Sequence, residues 1–236
     1  MYKYSRVKCF AALMCVIGFS APPALTSSAV AYSPPGDHYL CDFPERMERY
    51  RYLRWYPEEF PLKIYVPFVP PAFGVENPGM YGAIVQRAFG AWSQRLPGLR
   101  FSYTNNPQDA HIRIKWVNYF PESEGTWGQA LLPVPQRPDY KTHKSEVHLA
   151  VRAQKGSGMG PGAPLFSYDE LMSIAVHEVG HALGLPHSRD PEDIMTPYVF
   201  RLTANSQWKI TQRDLNTLIY LYRLPRNLKT PPCNGR

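Results

Sequence analysis

The 236-residue chain has no internal repeat and no run of like charge long enough to form a tail. That excludes stacked-repeat architectures and polyionic arms. Net charge is small. The formal value is +7, and Lys3, Arg6 and Lys8 fall in a leader without Asp or Glu, so about +4 remains once it is removed. So mild a balance gives no case for nucleic acid. Apolar runs long enough to span a bilayer are lacking, and the one that stands out, at 9–19, is too short. Cysteine is scarce at four residues, too few for a disulfide-dense scaffold. A hydrophobic core must therefore carry the fold, and a composition of 44% hydrophobic and 19% charged residues can supply one. The 25 prolines point to many extended segments and turns.

Lys3, Arg6 and Lys8, the apolar run, and the small-x-small triplet Ala29-Val30-Ala31 read as a secretory signal peptide over 1–31. Tyr32 would open the mature chain. The alternative is an uncleaved anchor. A cleaved leader places the protein outside the cytoplasm, extracellular or periplasmic, with no lasting membrane span. Two cysteines then remain, Cys41 and Cys233. An even pair in an exported chain suggests a disulfide, here one stapling the two ends. The chain-entropy model gives so long a loop about 5 kcal/mol.

Residues 177–188 read HEVGHALGLPHS. His177 and His181 are four apart, so a helix stacks them on one face, where two neutral imidazoles can grip one Zn²⁺. Glu178 then stands beside the metal rather than on it, which suits a general base acting on an activated water. Gly184 can end the helix by entering the left-handed conformation. The chain can then turn back and bring His187 to the same ion. Three protein ligands leave a fourth position open, as in a catalytic rather than a structural zinc. The bland alternative is a buried helix with two satisfied histidines.

This stretch resembles the HExxHxxGxxH zinc signature of the metzincin metalloproteases. Those enzymes also carry a methionine turn beneath the metal, and Asp193-Ile194-Met195-Thr196-Pro197-Tyr198 fits that place, with Met195 as the turn methionine. Ser188 directly after the third histidine, and Pro197 two after Met195, resemble the matrixins. Astacins and serralysins instead have a zinc-binding tyrosine where Pro197 stands. The front half of the chain is similar too, in AFGAWS at 88–93 and DAHIRI at 109–114. The resemblance covers roughly 60–224 and is to a matrix-metalloprotease catalytic domain in a minimal, bacterial-type form.

It implies an α/β (α+β) fold of the zincin kind. A twisted mixed five-stranded sheet and the active-site helix would lie above a cleft, with the Met-turn and a C-terminal helix below. It implies one catalytic zinc on His177, His181 and His187, a metalloendopeptidase activity with Glu178 as base, and Tyr198 lining the pocket for the residue after the cut. The substrate would be a polypeptide and the protein a monomer. The resemblance leaves room for calcium. A second, structural zinc is not expected: the loop at 118–125 has no His and no Asp, although His148 matches one family position and His143 lies near. Cys41 lacks the PRCGxPD context of an inhibitory propeptide thiolate. Two other classes could use the same residues. One is an amidase or peptidase acting on cell-wall peptides. The other is a zinc-holding binding module without turnover, which would have no need of Glu178.

The rest of the chain divides accordingly. An N-terminal arm at 32–60 has no clean periodicity, and the catalytic domain follows at 61–236. Strands are expected at 62–68, 99–103, 111–117, 128–134 and 146–151, from alternation and β-forming residues. By the same resemblance, the fourth of these would be the sheet edge that pairs with a bound peptide. A helix at 80–93 is signalled by Ile84, Ala88 and Trp92. Ser167 and Glu170 make a capping box for the active-site helix. Thr211 and Asp214 make a similar box for the last helix, whose expected buried stripe is Leu215, Leu218, Ile219 and Tyr222.

Overall fold

The computed structural model describes residues 38–42, 54–121, 125–131, 134–135, 143–153, 163–197 and 208–224. All belong to the unit Ser33–Arg236. The leader at 1–31, Tyr198 and Cys233 lie outside the described residues. No helix among the described residues is long and apolar enough to cross a membrane.

Strands β1 (Leu62–Tyr65), β2 (Phe101–Tyr103), β3 (Ile112–Val117), β4 (Gly128–Ala130) and β6 (His143–Ala150) form a mixed sheet in the order β2-β1-β3-β6-β4. β4 alone in that path runs antiparallel, against β6, and no strand among the described residues lies beside its far edge. The two-residue β5 (Val134–Pro135) pairs antiparallel with the start of β6. Side-chain alternation sets the two faces. Ile112, Ile114 and Trp116 of β3 and Val147 and Leu149 of β6 point into the core. On the outward face Lys115 lies 2.8 Å from Glu146. Helices α1 (Pro78–Arg95) and α2 (Tyr168–Ala182) cover the inner face, and α3 (Gln212–Arg223) closes the chain.

Several boundaries differ from the expected ones. The first strand stops at Tyr65 because Pro67 has no N–H for a ladder. The first helix begins two residues early, since Asn77 caps it by accepting from Met80 N and Pro78 suits the first helical position. The expected 128–134 strand is divided into β4 and β5. The last strand starts at His143, whose backbone and ring both bond buried Glu59, at 2.8 Å and at 2.8–3.0 Å. On α3 the buried stripe is Leu215, Leu218 and Leu221. Ile219 and Tyr222 are only half-buried, and the Tyr222 hydroxyl donates to Leu183 O at 3.0 Å.

Described parts of the arm are built into this core. Tyr39 and Leu40 are fully buried and Trp55 is nearly so. The indole N–H of Trp55 donates to Ala182 O at 2.8 Å, satisfying a carbonyl at the end of α2.

Candidate metal centre

Helix α2 starts with the expected box. Ser167 Oγ accepts from Glu170 N at 3.3 Å, and the Glu170 carboxylate accepts from Ser167 N at 2.8 Å. The helix is buried continuously from Leu171 to Gly180. It ends in a Schellman turn: Leu185 N bonds Gly180 O at 3.0 Å and Gly184 N bonds His181 O at 2.8 Å. Gly184 has φ +103°, which a side chain would strain. That turn reverses the chain and brings His187 back beneath the helix.

The three imidazoles converge. Ring centroids are 4.7 Å apart for His177 and His181, 4.7 Å for His181 and His187, and 5.4 Å for His177 and His187. One nitrogen from each lies within 4.8 Å of the other two. No other such group of three His, Cys, Asp or Glu occurs among the described residues.

The tautomers follow from the partners. His177 Nδ1 faces Ile194 O at 2.7 Å, and His181 Nδ1 faces Leu185 O at 2.7 Å. A carbonyl only accepts, so both Nδ1 atoms carry the proton and both Nε2 atoms present lone pairs. His181 Nε2 lies 3.1 Å from His187 Nε2. Tetrahedral zinc with bonds of about 2.0–2.1 Å would hold two nitrogens about 3.3 Å apart. The residues fit such an ion. Burial, then the neighbouring His181 and His187, hold His177 well below the usual histidine range, against the pull of the Ile194 carbonyl. Burial lowers His181 to about 4. Both are neutral at pH 7, as metal ligation requires.

Glu178 is buried beside this cluster, and its Oε2 has no hydrogen-bond partner. Burial raises its carboxyl to about 8. The side chain lies flat against β4, where a Cβ on Gly128 would come within 2.5 Å of its Cγ and Oε1. Met195 is fully buried and packs on Gly180, between the two helical histidines, where a Cβ would meet its sulfur. Ser188 N donates to Met195 O at 2.9 Å, tying the residue after His187 to the methionine turn.

His143 and His148 do not join the cluster. His143 is engaged by Glu59. His148 projects from the outward face of β6, its Nε2 3.6 Å from Glu146 Oε1. Sequence reasoning passed over Gly128, Asp42 and Arg213. Arg213 did leave a signal: a cation in the first turn of a helix opposes the helix dipole, so nearby carboxylates must compensate it.

A mixed sheet, a buried helix bearing two of three converging neutral imidazoles, and an unpartnered carboxyl beside them define a three-histidine metallohydrolase-type centre. The chain belongs to the matrixin family, whose model matches residues 77–223. It is 37% identical over 70 residues to matrix metalloproteinase-16 of Rattus norvegicus, covering 30% of this chain and 11% of that one. It is 31% identical over 121 residues to karilysin of Tannerella forsythia, covering 48% and 23%. It is 30% identical over 178 residues to metalloendoproteinase 2-MMP of Arabidopsis thaliana, covering 70% and 44%. In each case the match spans less than half of the relative's length.

Proposed function

We propose that the chain is an exported zinc endopeptidase. His177, His181 and His187 hold the ion, and Glu178 is the general base. A zinc ion there supplies a lowered water pKa and a polarised scissile carbonyl. Beside the cation of a bound zinc the ionised form of Glu178 is favoured, and its carboxylate accepts a proton from the attacking water and delivers it to the leaving amine. The single observation carrying this reading is the unpartnered buried carboxyl of Glu178 beside three converged imidazoles. A buried carboxyl without a partner is costly, and its fixed place suits a water and substrate that arrive later.

The far edge of β4, beside which no strand stands among the described residues, would take an extended polypeptide by backbone pairing. Met195 shapes the floor under the metal, and Tyr198, which lies outside the described residues, is assigned by family resemblance to the pocket for the residue after the cut. Residues 1–31 act as the export signal, 32–60 as an arm, and 61–236 as the catalytic domain. A disulfide between Cys41 and Cys233 belongs to this reading, as an even pair in an exported chain suggests.

The test uses purified exported protein with casein as substrate. N-terminal sequencing should begin at Tyr32. Cleavage should stop on chelation, and mass spectrometry should count one zinc per chain. Glu178→Ala should lower cleavage by about 10²–10⁴-fold while zinc content persists. Wild-type cleavage in that variant would sink the mechanism.

A further inference from the structure

We propose that Asp42 is a positioning residue of the metal centre, acting with Arg213 to fix the segment that carries His187. This rests on the reading of His177, His181 and His187 as one zinc site.

His177 and His181 are held by α2. His187 is not, because residues 185–188 have no regular structure. Its ring is placed by whatever grips the chain on either side. Before it lies the Schellman turn. After it come Ser188 and Arg189, and here the strap at 38–42 intervenes. Asp42 Oδ2 accepts from Arg189 N at 3.1 Å and from Arg213 Nη2 at 2.9 Å. Arg213 Nη1 in turn donates to Ser188 Oγ at 2.8 Å and to Asp193 Oδ2 at 2.7 Å. One carboxylate thus holds the backbone two residues after His187 and, through the guanidinium, the side chain one residue after it. The planar fork of arginine suits this shared duty, since one flexible ammonium could not reach all three acceptors in fixed geometry.

The strap is itself firmly seated. Tyr39 Oη donates to Asp214 Oδ1 at 2.9 Å, and Tyr39 N donates to Thr217 Oγ1 at 3.1 Å. The Arg213 guanidinium stacks 5.2 Å above the Tyr39 ring. Asp214 Oδ2 accepts from Ile194 N at 3.1 Å, and Ile194 O receives the proton of His177 Nδ1. The strap therefore reaches the metal centre by a second route as well. It lies outside residues 77–223, so the family match assigns it nothing.

The experiment measures zinc release to a chromogenic chelator from the full purified chain, with thermal unfolding and peptide kcat and KM recorded in parallel. Asp42→Ala should release zinc about tenfold faster or more, as loss of a group supporting a ligand does. Asp42→Asn keeps an oxygen acceptor and should stay closer to wild type. Ile112→Val, a core deletion in β3, should lower stability without changing zinc release. If Asp42→Ala does not fold, Arg213→Lys gives the same test and should also speed release. Wild-type release from Asp42→Ala or Arg213→Lys overturns the proposal, as does equal acceleration by Ile112→Val. A wild-type chain that binds no zinc overturns the three-histidine reading first, and the proposal with it.

Discussion

Glu178 lies so close to Gly128 that the two cannot both carry ordinary side chains: a Cβ at 128 would stand 2.5 Å from Glu178 Cγ and Oε1. The absent side chain of an edge strand is what lets the carboxyl reach its place beside the histidines. Gly128→Ala must displace either the carboxyl or β4. The expected result is a kcat for peptide cleavage lower by about 10–100-fold with zinc content unchanged, as an ångström-scale misplacement of a catalytic group does. Wild-type kcat in that variant would show that the contact has no catalytic consequence.

A second close approach lies beneath α2. A Cβ on Gly180 would collide with the Met195 sulfur and come within 3.1 Å of Trp92 Cζ2. Gly180→Ala should cost about 1–3 kcal/mol through overpacking. Met195→Ala in the same chain should recover part of that loss, because it vacates the space. Denaturant midpoints of the two single variants and the double variant measure the coupling, and strict additivity would refute it.

The metal-free protein should be most stable near pH 6.5. His177 and His181 have folded values below the ordinary 6.5, the latter about 4. The unfolded chain then binds more protons between those values, so stability falls as pH drops from 6.5 toward 4. Glu178 has the opposite sign. Its folded value of about 8 exceeds the ordinary 4.5, so the folded state binds the extra proton and stability falls as pH rises toward 8. Below pH 6.5 two histidines outweigh one carboxyl, and above it only the carboxyl acts. Chelator-treated protein followed by urea unfolding at several pH values gives the profile. Glu178→Gln should remove the fall on the alkaline side, and a profile unaltered by it would contradict the assignment.

Trp55→Phe should destabilise the chain by about 1–3 kcal/mol. It keeps most of the apolar packing but leaves Ala182 O, at the buried end of α2, without the indole donor. A lower urea midpoint with an unchanged m-value is the expected observation. An unshifted midpoint would mean that the carbonyl finds another donor at no cost.

The local devices of this protein were legible because each is written within a few residues. The i, i+4 spacing of His177 and His181, the helix-ending Gly184, and the boxes Ser167–Glu170 and Thr211–Asp214 need nothing from the rest of the chain. Boundaries were less so. β6 extends back to His143 because of Glu59, 84 residues earlier in sequence. The sheet edge was expected from the family resemblance, but the empty space at Gly128 was not readable, since it exists only where β4 meets α2.

The sequence by itself determined the helix that presents His177, Glu178 and His181 and the relative places of the three on it, because helical geometry converts spacing into position without help. Tertiary structure decided where His187 and Met195 sit, how the Glu178 carboxyl is left unpartnered, and that Asp42 bonds the backbone two residues after His187. The contacts responsible join residues as far apart as Trp55 and Ala182, separated by 127 positions, and Asp42 and Arg213, separated by 171. Closing such loops costs entropy that only the whole core repays, so no local pattern encodes them.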